Sequence, residues 1–365
     1  MERALKMMIA GGGTGGHLFP GIAIGEAFLR LAPGGSEILF VGTPRGIEAR
    51  VLPERNLPHE FLEVGQLKGL GLMRKLATLF SLPLSLFKAM GIIRRFSPDV
   101  VIGVGGYVSG PVVLAARLLG KKTAIQEQNS VPGLTNKILG RVVHTVFTAF
   151  EAAREAFPAR KVVFSGNPVR EEIMKLAGER PALPAKPAVV VLGGSQGARA
   201  INEVMPEVYR TLAEKHAGLV WTHQSGAAEF EQTAARYEGA PGTPRVEAFL
   251  SDMGKVYAGA SLVVGRAGAS TLAELCAIGR GSVLIPFPFA TDNHQEVNAR
   301  ELEGLGAARV VIQKEMSADG LSALLDELLG APGKLEDMAA RAREHGRPRA
   351  AEDIAGACIA MVSER

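Results

Sequence analysis

Two glycine-rich loops, set about one domain apart, constrain this chain more than any other feature. Gly11-Gly12-Gly13-Thr14-Gly15-Gly16-His17 follows the apolar run Met7-Met8-Ile9-Ala10 and precedes a helix-like stretch from Gly21 to Leu31. Gly193-Gly194-Ser195-Gln196-Gly197 follows Ala188-Val189-Val190-Val191-Leu192 and precedes a helix-like stretch from Ala198 to Lys215. A strand, a glycine turn and a helix N-terminus form an anion site, because free backbone N–H groups and the helix dipole point at the ligand together. Two such units predict two nucleotide-fold halves, each able to hold a phosphate.

The remaining pattern agrees with that division. A chain of 365 residues exceeds what one core usually fills. Short apolar runs at Glu37–Val41, Asp99–Val104, Thr123–Gln126 and Lys161–Ser165 read as strands, and helix-like stretches such as Gly110–Leu119 lie between them. In the second half, strands are expected at Ala188–Leu192, Gly218–His223, Val246–Phe249, Ala260–Val264 and Ser282–Ile285. Alternating strands and helices imply an α/β chain with parallel sheets covered on both faces. Gly166-Asn167-Pro168, followed by Pro181, Pro184 and Pro187, marks the break between halves. The tail from Arg347 to Arg365 has a helical pattern at Ile354, Cys358 and Met361, and could pack back on the first domain.

Composition excludes several classes. A net charge of +4, with no Lys/Arg run and no basic stripe interleaved with aromatics, gives no support to nucleic-acid binding. The two cysteines, Cys276 and Cys358, suit a reducing cytoplasm and argue against a disulfide framework or a cysteine zinc site. A glycine loop beginning at residue 11 leaves no room for a signal peptide. The apolar stretch Leu76–Ile93 is interrupted by Pro83 and Lys88, which argues against a membrane span. Residues 64–98 nevertheless contain no acidic side chain. Lys68, Arg74, Lys75, Lys88, Arg94 and Arg95 there flank a leucine- and phenylalanine-rich run. Apolar side chains rimmed by cations suit an anionic leaflet, and a buried helix with a solvated basic edge is the alternative.

Gly11-x-Gly13-x-x-Gly16 has the spacing of the dinucleotide fingerprint, which also needs an acid at the end of the second strand. That strand ends Phe40-Val41-Gly42-Thr43 without one, so a phosphate-cradling or close-packing loop is the better reading. His17, at a helix start, suits a general base working on a hydroxyl, or a capping role. Gln126-Glu127-Gln128-Asn129 and Gly103-Val104-Gly105-Gly106-Tyr107 end strands, where open α/β sheets bind ligands. Arg266-Ala267-Gly268-Ala269-Ser270-Thr271-Leu272-Ala273-Glu274 reads as a small-residue turn entering a helix. Glu274 could accept both hydroxyls of a ribose, or simply favour its own helix dipole. Gln295 and Asn298 are three residues apart on one helix face and suited to reading sugar hydroxyls. No metal-ligand constellation and no Asp-x-Asp pair is present; if the chemistry releases a diphosphate, a helix N-terminus plus an arginine can neutralise it.

Several of these segments together resemble the MurG family of glycosyltransferases. They are Gly12–His17 followed by Pro20-Gly21, Gln126–Asn129, Gly166-Asn167-Pro168-Val169-Arg170, Gly193–Ala198, Arg266–Glu274 and Asp292–Asn298, in family order along nearly the whole chain. The resemblance implies a GT-B fold of two Rossmann-like domains facing an interdomain cleft. The acceptor- and membrane-binding domain would span 1–166, with the helix 347–365 packed back on it, and the UDP-sugar domain 167–346. It implies inverting transfer of N-acetylglucosamine from UDP-N-acetylglucosamine to the 4-hydroxyl of the muramyl sugar of lipid I, forming lipid II in peptidoglycan synthesis. No cofactor and no metal is expected. His17 is the first candidate for the base. Glu127 is the second, either as the base or as the group that orients it. By similarity, Ser195 and Arg266 meet the diphosphate, Glu274 the ribose, Leu250 the uracil through its backbone, and Gln295 and Asn298 the sugar. Ala269, Ser270, Thr271 and Leu272 belong to the same donor segment, and Thr14, Gly15, Gly16, Asn129 and Arg170 line the cleft. The stretch 64–98 would then dock on the cytoplasmic face of the inner membrane as a peripheral contact. The alternatives are a related UDP-sugar lipid glycosyltransferase, a UDP-sugar epimerase and a non-catalytic nucleotide-sugar-binding module.

Overall fold

In the computed structural model, residues 3–64, 72–194 and 197–363 are described, with the side chains of 72–82 outside that description. The chain divides into two compact units, Met1–Arg170 with Arg349–Arg365, and Glu171–Pro348.

The first unit carries strands β1 (Lys6–Ala10), β2 (Glu37–Gly42), β3 (His59–Phe61), β4 (Val100–Gly103), β5 (Lys122–Glu127), β6 (Thr145–Thr148) and β7 (Val162–Phe164). Between them run helices α1 (Gly15–Leu31), α2 (Glu48–Glu54), α3 (Leu72–Phe96), α4 (Ser109–Leu118) and α5 (Leu134–Leu139). All described pairings are parallel, in the order β3-β2-β1-β4-β5-β6-β7. Side chains alternate between two faces, and both faces are buried. Met7 and Ile9 join Phe28, Ile38 and Phe40 in one core, while Met8 and Ala10 join Leu39, Val41 and Val101 in the other. That is why the strands read as continuous apolar runs rather than as alternating ones.

The second unit carries α6 (Glu171–Glu179), β8 (Ala188–Leu192), α7 (Arg199–Lys215), β9 (Val220–Gln224), α8 (Phe230–Arg236) and β10 (Arg245–Glu247). It continues through α9 (Met253–Ala258), β11 (Leu262–Gly265), α10 (Ala269–Ile278), β12 (Gly281–Leu284), α11 (His294–Gly304) and β13 (Ala308–Val310), and closes with α12 (Ala318–Leu329) and α13 (Pro332–His345). Its sheet is parallel with the order β10-β9-β8-β11-β12-β13. The last helix, α14 (Ala350–Ser363), belongs to the first unit. It packs along α1 and places Ala351, Ile354, Ala355 and Cys358 in the same core as Ile24 and Phe28.

Three strands escape sequence patterning. They are β3 and β13, of three residues each, and β6, of four. Among the described residues, no helix is long and apolar enough to cross a membrane.

Candidate functional site

Each sheet reverses its strand order once, and ligands in open α/β folds gather at that switch point. In the first unit it lies between β1 and β4, whose last residues, Ala10 and Gly103, are register partners. The loop after β1 is Gly11–Thr14 and the loop after β4 is Val104–Val108. They touch through backbone, since a Cβ on Gly106 would stand 2.5 Å from the Gly12 carbonyl oxygen.

His17 sits in the first turn of α1, half-buried, beside both loops. Its Nδ1 is 3.1 Å from the Gly12 carbonyl oxygen and 3.4 Å from Thr14 Oγ1. A carbonyl only accepts, so Nδ1 carries the proton, and in the neutral ring the lone pair is on Nε2. Thr14 is the N-cap of α1, with an extended backbone and no capping bond from its side chain. Gly15 and Gly16 therefore open a helix whose first N–H groups lack helical acceptors.

Sequence reasoning missed Glu48. The second strand does end without an acid, yet α2 brings this carboxylate back beneath the glycine loop. Glu48 is fully buried and accepts from Gly13 N–H (2.7 Å), Thr43 N–H (2.9 Å) and Thr43 Oγ1 (2.7 Å). Burial pushes its pKa up, but the Gly13 amide and the two Thr43 donors together outweigh that and hold the carboxyl below its ordinary range. The acid faces inward, onto the loop. It takes one of the amides that the phosphate-cradling reading would have offered to a ligand, and Gly11 N–H goes to the Val41 carbonyl at 3.1 Å. The available signal was Gly42-Thr43-x-x-Gly46-x-Glu48.

Glu127 ends β5 and is also buried. Its oxygens accept from Asn129 N–H (3.0 Å), Asn129 Nδ2 (3.4 Å), Gly133 N–H (3.2 Å) and Asn136 Nδ2 (2.9 Å). Burial raises its pKa, against the pull of those donors. Its hydrogen bonds anchor the turn into α5 and place Asn129 at the strand end. Beside it, Gln128 donates to the Val104 carbonyl (2.7 Å) and to Gln126, which donates to Asn167 (3.1 Å). Arg170, half-buried, closes the first unit just after Asn167.

In the second unit the switch lies between β8 and β11, where Leu192 pairs with Gly265. The second glycine loop follows β8. Gly193 N–H is spent on the Gln224 carbonyl (2.8 Å) and Gly197 N–H on the Gly194 carbonyl (3.1 Å). Ser195 lies outside the described residues. Behind the loop, Asn202 donates to the Ser225 carbonyl and to Glu229, and accepts from His223 Nε2 at 3.0 Å.

Arg266 follows β11 directly. Its Nη1 donates to the carbonyls of Ile285 (3.1 Å) and Pro286 (3.2 Å), and its guanidinium lies 5.4 Å from the Phe287 ring centroid. Burial lowers its pKa. Ala269, Ser270, Thr271 and Leu272 form the first turn of α10, and that turn contains no acidic side chain. Among the described residues, the buried Ser270 hydroxyl has no hydrogen-bond partner. Glu274 is buried one turn on, with Tyr257 donating to its Oε2 at 3.2 Å. Gln295 Oε1 accepts from Phe287 N–H at 3.0 Å, so Arg266, Phe287 and Gln295 meet at one place. Asn298 is fully buried, unlike its half-buried neighbour on the same helix. Leu250 is buried in the loop after β10, the edge strand, which β9 and β8 separate from β11.

Residues 7–148 match the Glycosyltransferase family 28 N-terminal domain and residues 188–354 its C-terminal domain. The chain is 46% identical over 358 residues to the UDP-N-acetylglucosamine–N-acetylmuramyl-(pentapeptide) pyrophosphoryl-undecaprenol N-acetylglucosamine transferase of Myxococcus xanthus, covering 98% of this chain and 93% of that relative. Among solved structures it is similar to Acinetobacter baumannii MurG, with TM-score 0.81 and 34% identity over 98% of this chain and 100% of that one. It also shares its fold, at TM-score 0.67 and 16% identity, with a UDP-N-acetylglucosamine 2-epimerase from Listeria monocytogenes described as putative; this match covers 100% of this chain and 98% of that one.

Proposed function

The chain belongs to the MurG family of glycosyltransferases, and from that premise we propose that it transfers N-acetylglucosamine from UDP-N-acetylglucosamine to lipid I, forming lipid II. The reaction is an inverting displacement. The 4-hydroxyl oxygen of the muramyl sugar bonds to the anomeric carbon, the bond from that carbon to the diphosphate oxygen breaks, and UDP leaves with the electron pair. The hydroxyl proton passes to His17.

The observation that carries the assignment of the base is the bond between His17 Nδ1 and the Gly12 carbonyl. It selects the tautomer in which Nε2 can take a proton, as a general base must. Glu127, whose bonds are made to its own loop, serves the reaction by holding Asn129 in place.

The donor is held by the second unit. Charge on the departing diphosphate is met by the N-terminus of α10 and by Arg266. Both hydrogen bonds of that guanidinium are made by Nη1, and Nε and Nη2 carry three more donors. Ser195 contributes its hydroxyl and Glu274 accepts from the ribose. Gln295 reads the sugar, assisted by Asn298, and Leu250 presents its backbone to the base.

The enzyme docks on the anionic cytoplasmic leaflet as a peripheral protein. α3 packs along α4 and α4 against α5. Together they expose Leu84, Phe87, Leu114, Leu118, Leu134 and Ile138 beside exposed Lys88, Arg117 and Lys137. Apolar side chains interleaved with cations gain both burial and attraction at such a surface. Part of the stretch 64–98 lies outside the described residues.

The test is product formation. A lipid I analogue incubated with the protein and UDP-N-acetylglucosamine gains the mass of one N-acetylhexosamine. His17→Ala lowers that turnover by about 100-fold or more, the usual scale of a lost general base, while UDP binding is kept. An unmodified acceptor overturns the transferase reading, and near-normal turnover in His17→Ala overturns the base.

A further inference from the structure

Glu48 and His17 grip opposite sides of one peptide bond. The N–H of Gly13 and the C=O of Gly12 belong to the same planar trans unit, so they point in opposite directions. Glu48 Oε2 accepts from that N–H at 2.7 Å, and His17 Nδ1 lies 3.1 Å from that carbonyl oxygen. Rotating the peptide would break both bonds together.

We propose that Glu48 is a positioning residue for His17, which it orients through the Gly12–Gly13 peptide. The inference rests on the reading of His17 as the base. A catalytic imidazole commonly has its second nitrogen held by a carboxylate, which selects the tautomer and favours the cation that forms when the ring takes a proton. Here a peptide stands between the two groups. The carboxylate polarises the peptide, so the Gly12 oxygen becomes a stronger acceptor for Nδ1–H, and the chain of hydrogen bonds is mutually reinforcing.

The surroundings are built for this carboxylate. Gly12, Gly42 and Gly46 enclose it, and a Cβ on any of them would lie 2.3, 2.5 or 2.2 Å from a Glu48 atom. Gly12 has φ +150° and Gly13 φ +87°, conformations that side-chain-bearing residues rarely adopt. The donors to Glu48 come from Gly13 and Thr43, on the loops that end β1 and β2. A neutral amide at position 48 would present its NH2 to an N–H donor on one side, and the peptide would lose its reason to face one way.

The experiment is 15N NMR of the histidine rings in the full-length protein, with the His17 signals assigned by their loss in His17→Gln. Wild type is expected to show His17 as the Nδ1–H tautomer. Glu48→Gln is expected to lose that single tautomer. Its turnover should fall by about tenfold or more, with KM for UDP-N-acetylglucosamine little changed and Glu48→Asp recovering part of the rate. A wild-type His17 protonated on Nε2 overturns the proposal without any variant. So does a Glu48→Gln protein that keeps the Nδ1–H signature. The tautomer readout does not depend on activity. If His17→Gln remains active, the base reading fails, and the NMR result still decides whether Glu48 sets the ring.

Discussion

Gly105 lies against the imidazole of His17, so that a Cβ at position 105 would stand 2.6 Å from His17 Cδ2 and 2.9 Å from Nε2. The loop after β4 thus forms one wall of the seat for the ring, and only glycine fits there. Gly105 also has φ +99°. Gly105→Ala should cost about 1–3 kcal/mol of stability from backbone strain and displace the ring. Turnover should fall well beyond what the loss of folded protein explains, by about 100-fold for a shift of 1 Å. Thermal denaturation and kcat on the same preparation check this, and unchanged kcat contradicts the placement of His17.

Glu127→Gln separates anchoring from proton transfer. Four donors converge on a carboxylate that can only accept, and an amide would turn an NH2 toward one of them. We expect a loss of about 1–3 kcal/mol. The pH dependence carries a sign. Because burial raises this pKa in the folded protein, the native state holds the proton longer than the unfolded chain does, and stability falls as pH rises from the unfolded carboxyl value through the folded one. Glu127→Gln removes that slope. Full stability with abolished turnover would instead make Glu127 the base.

The second unit should be acid-labile through His223. Trp221 N–H donates to Tyr237 Oη (2.9 Å), Tyr237 meets His223 Nδ1 (2.8 Å), and His223 Nε2 meets the Asn202 carbonyl oxygen. Burial pushes the imidazole down to about 4. The unfolded chain therefore takes up a proton near pH 6.5 that the native state refuses until about 4, and stability falls as pH drops through that window, by about 3 kcal/mol in all. The chain has one tryptophan, Trp221, and it sits in this network, so its fluorescence reports this unit's unfolding. In His223→Gln the midpoint should vary less between pH 7 and pH 5; an equal slope contradicts the assignment.

The proposed membrane surface can be altered without harming the fold, because Phe87 and Leu118 are 70% and 61% exposed. Phe87→Ser with Leu118→Ser should lower partitioning onto phosphatidylglycerol vesicles by about tenfold or more, since each side chain gives up roughly 1–2 kcal/mol of burial. Thermal midpoints should stay put. Undiminished vesicle binding contradicts this surface.

The glycine loops, the strands before them and the doubled α/β plan were legible because each is local. Val189, Val190 and Val191 are adjacent, β-branched and buried, and the turn follows at once. The unit around His17 was only partly legible. Its ring is held by Gly12, five residues away, and walled by Gly105, which the chain reaches only after three more strands. Glu48 left no periodic trace, since its partner is a backbone amide 35 residues distant and any residue has an amide. Asn298 shows the limit of helical spacing. Sharing a face with Gln295 did not reveal that one side chain would be fully buried and the other half-open.

The most direct test of the transferase reading is UDP release from UDP-N-acetylglucosamine, measured with and without a lipid I analogue in detergent containing a chelator. Release that requires the acceptor, survives the chelator and matches lipid II formation mole for mole is the predicted result. Release independent of the acceptor, or tight UDP-sugar binding with no release at all, would contradict it.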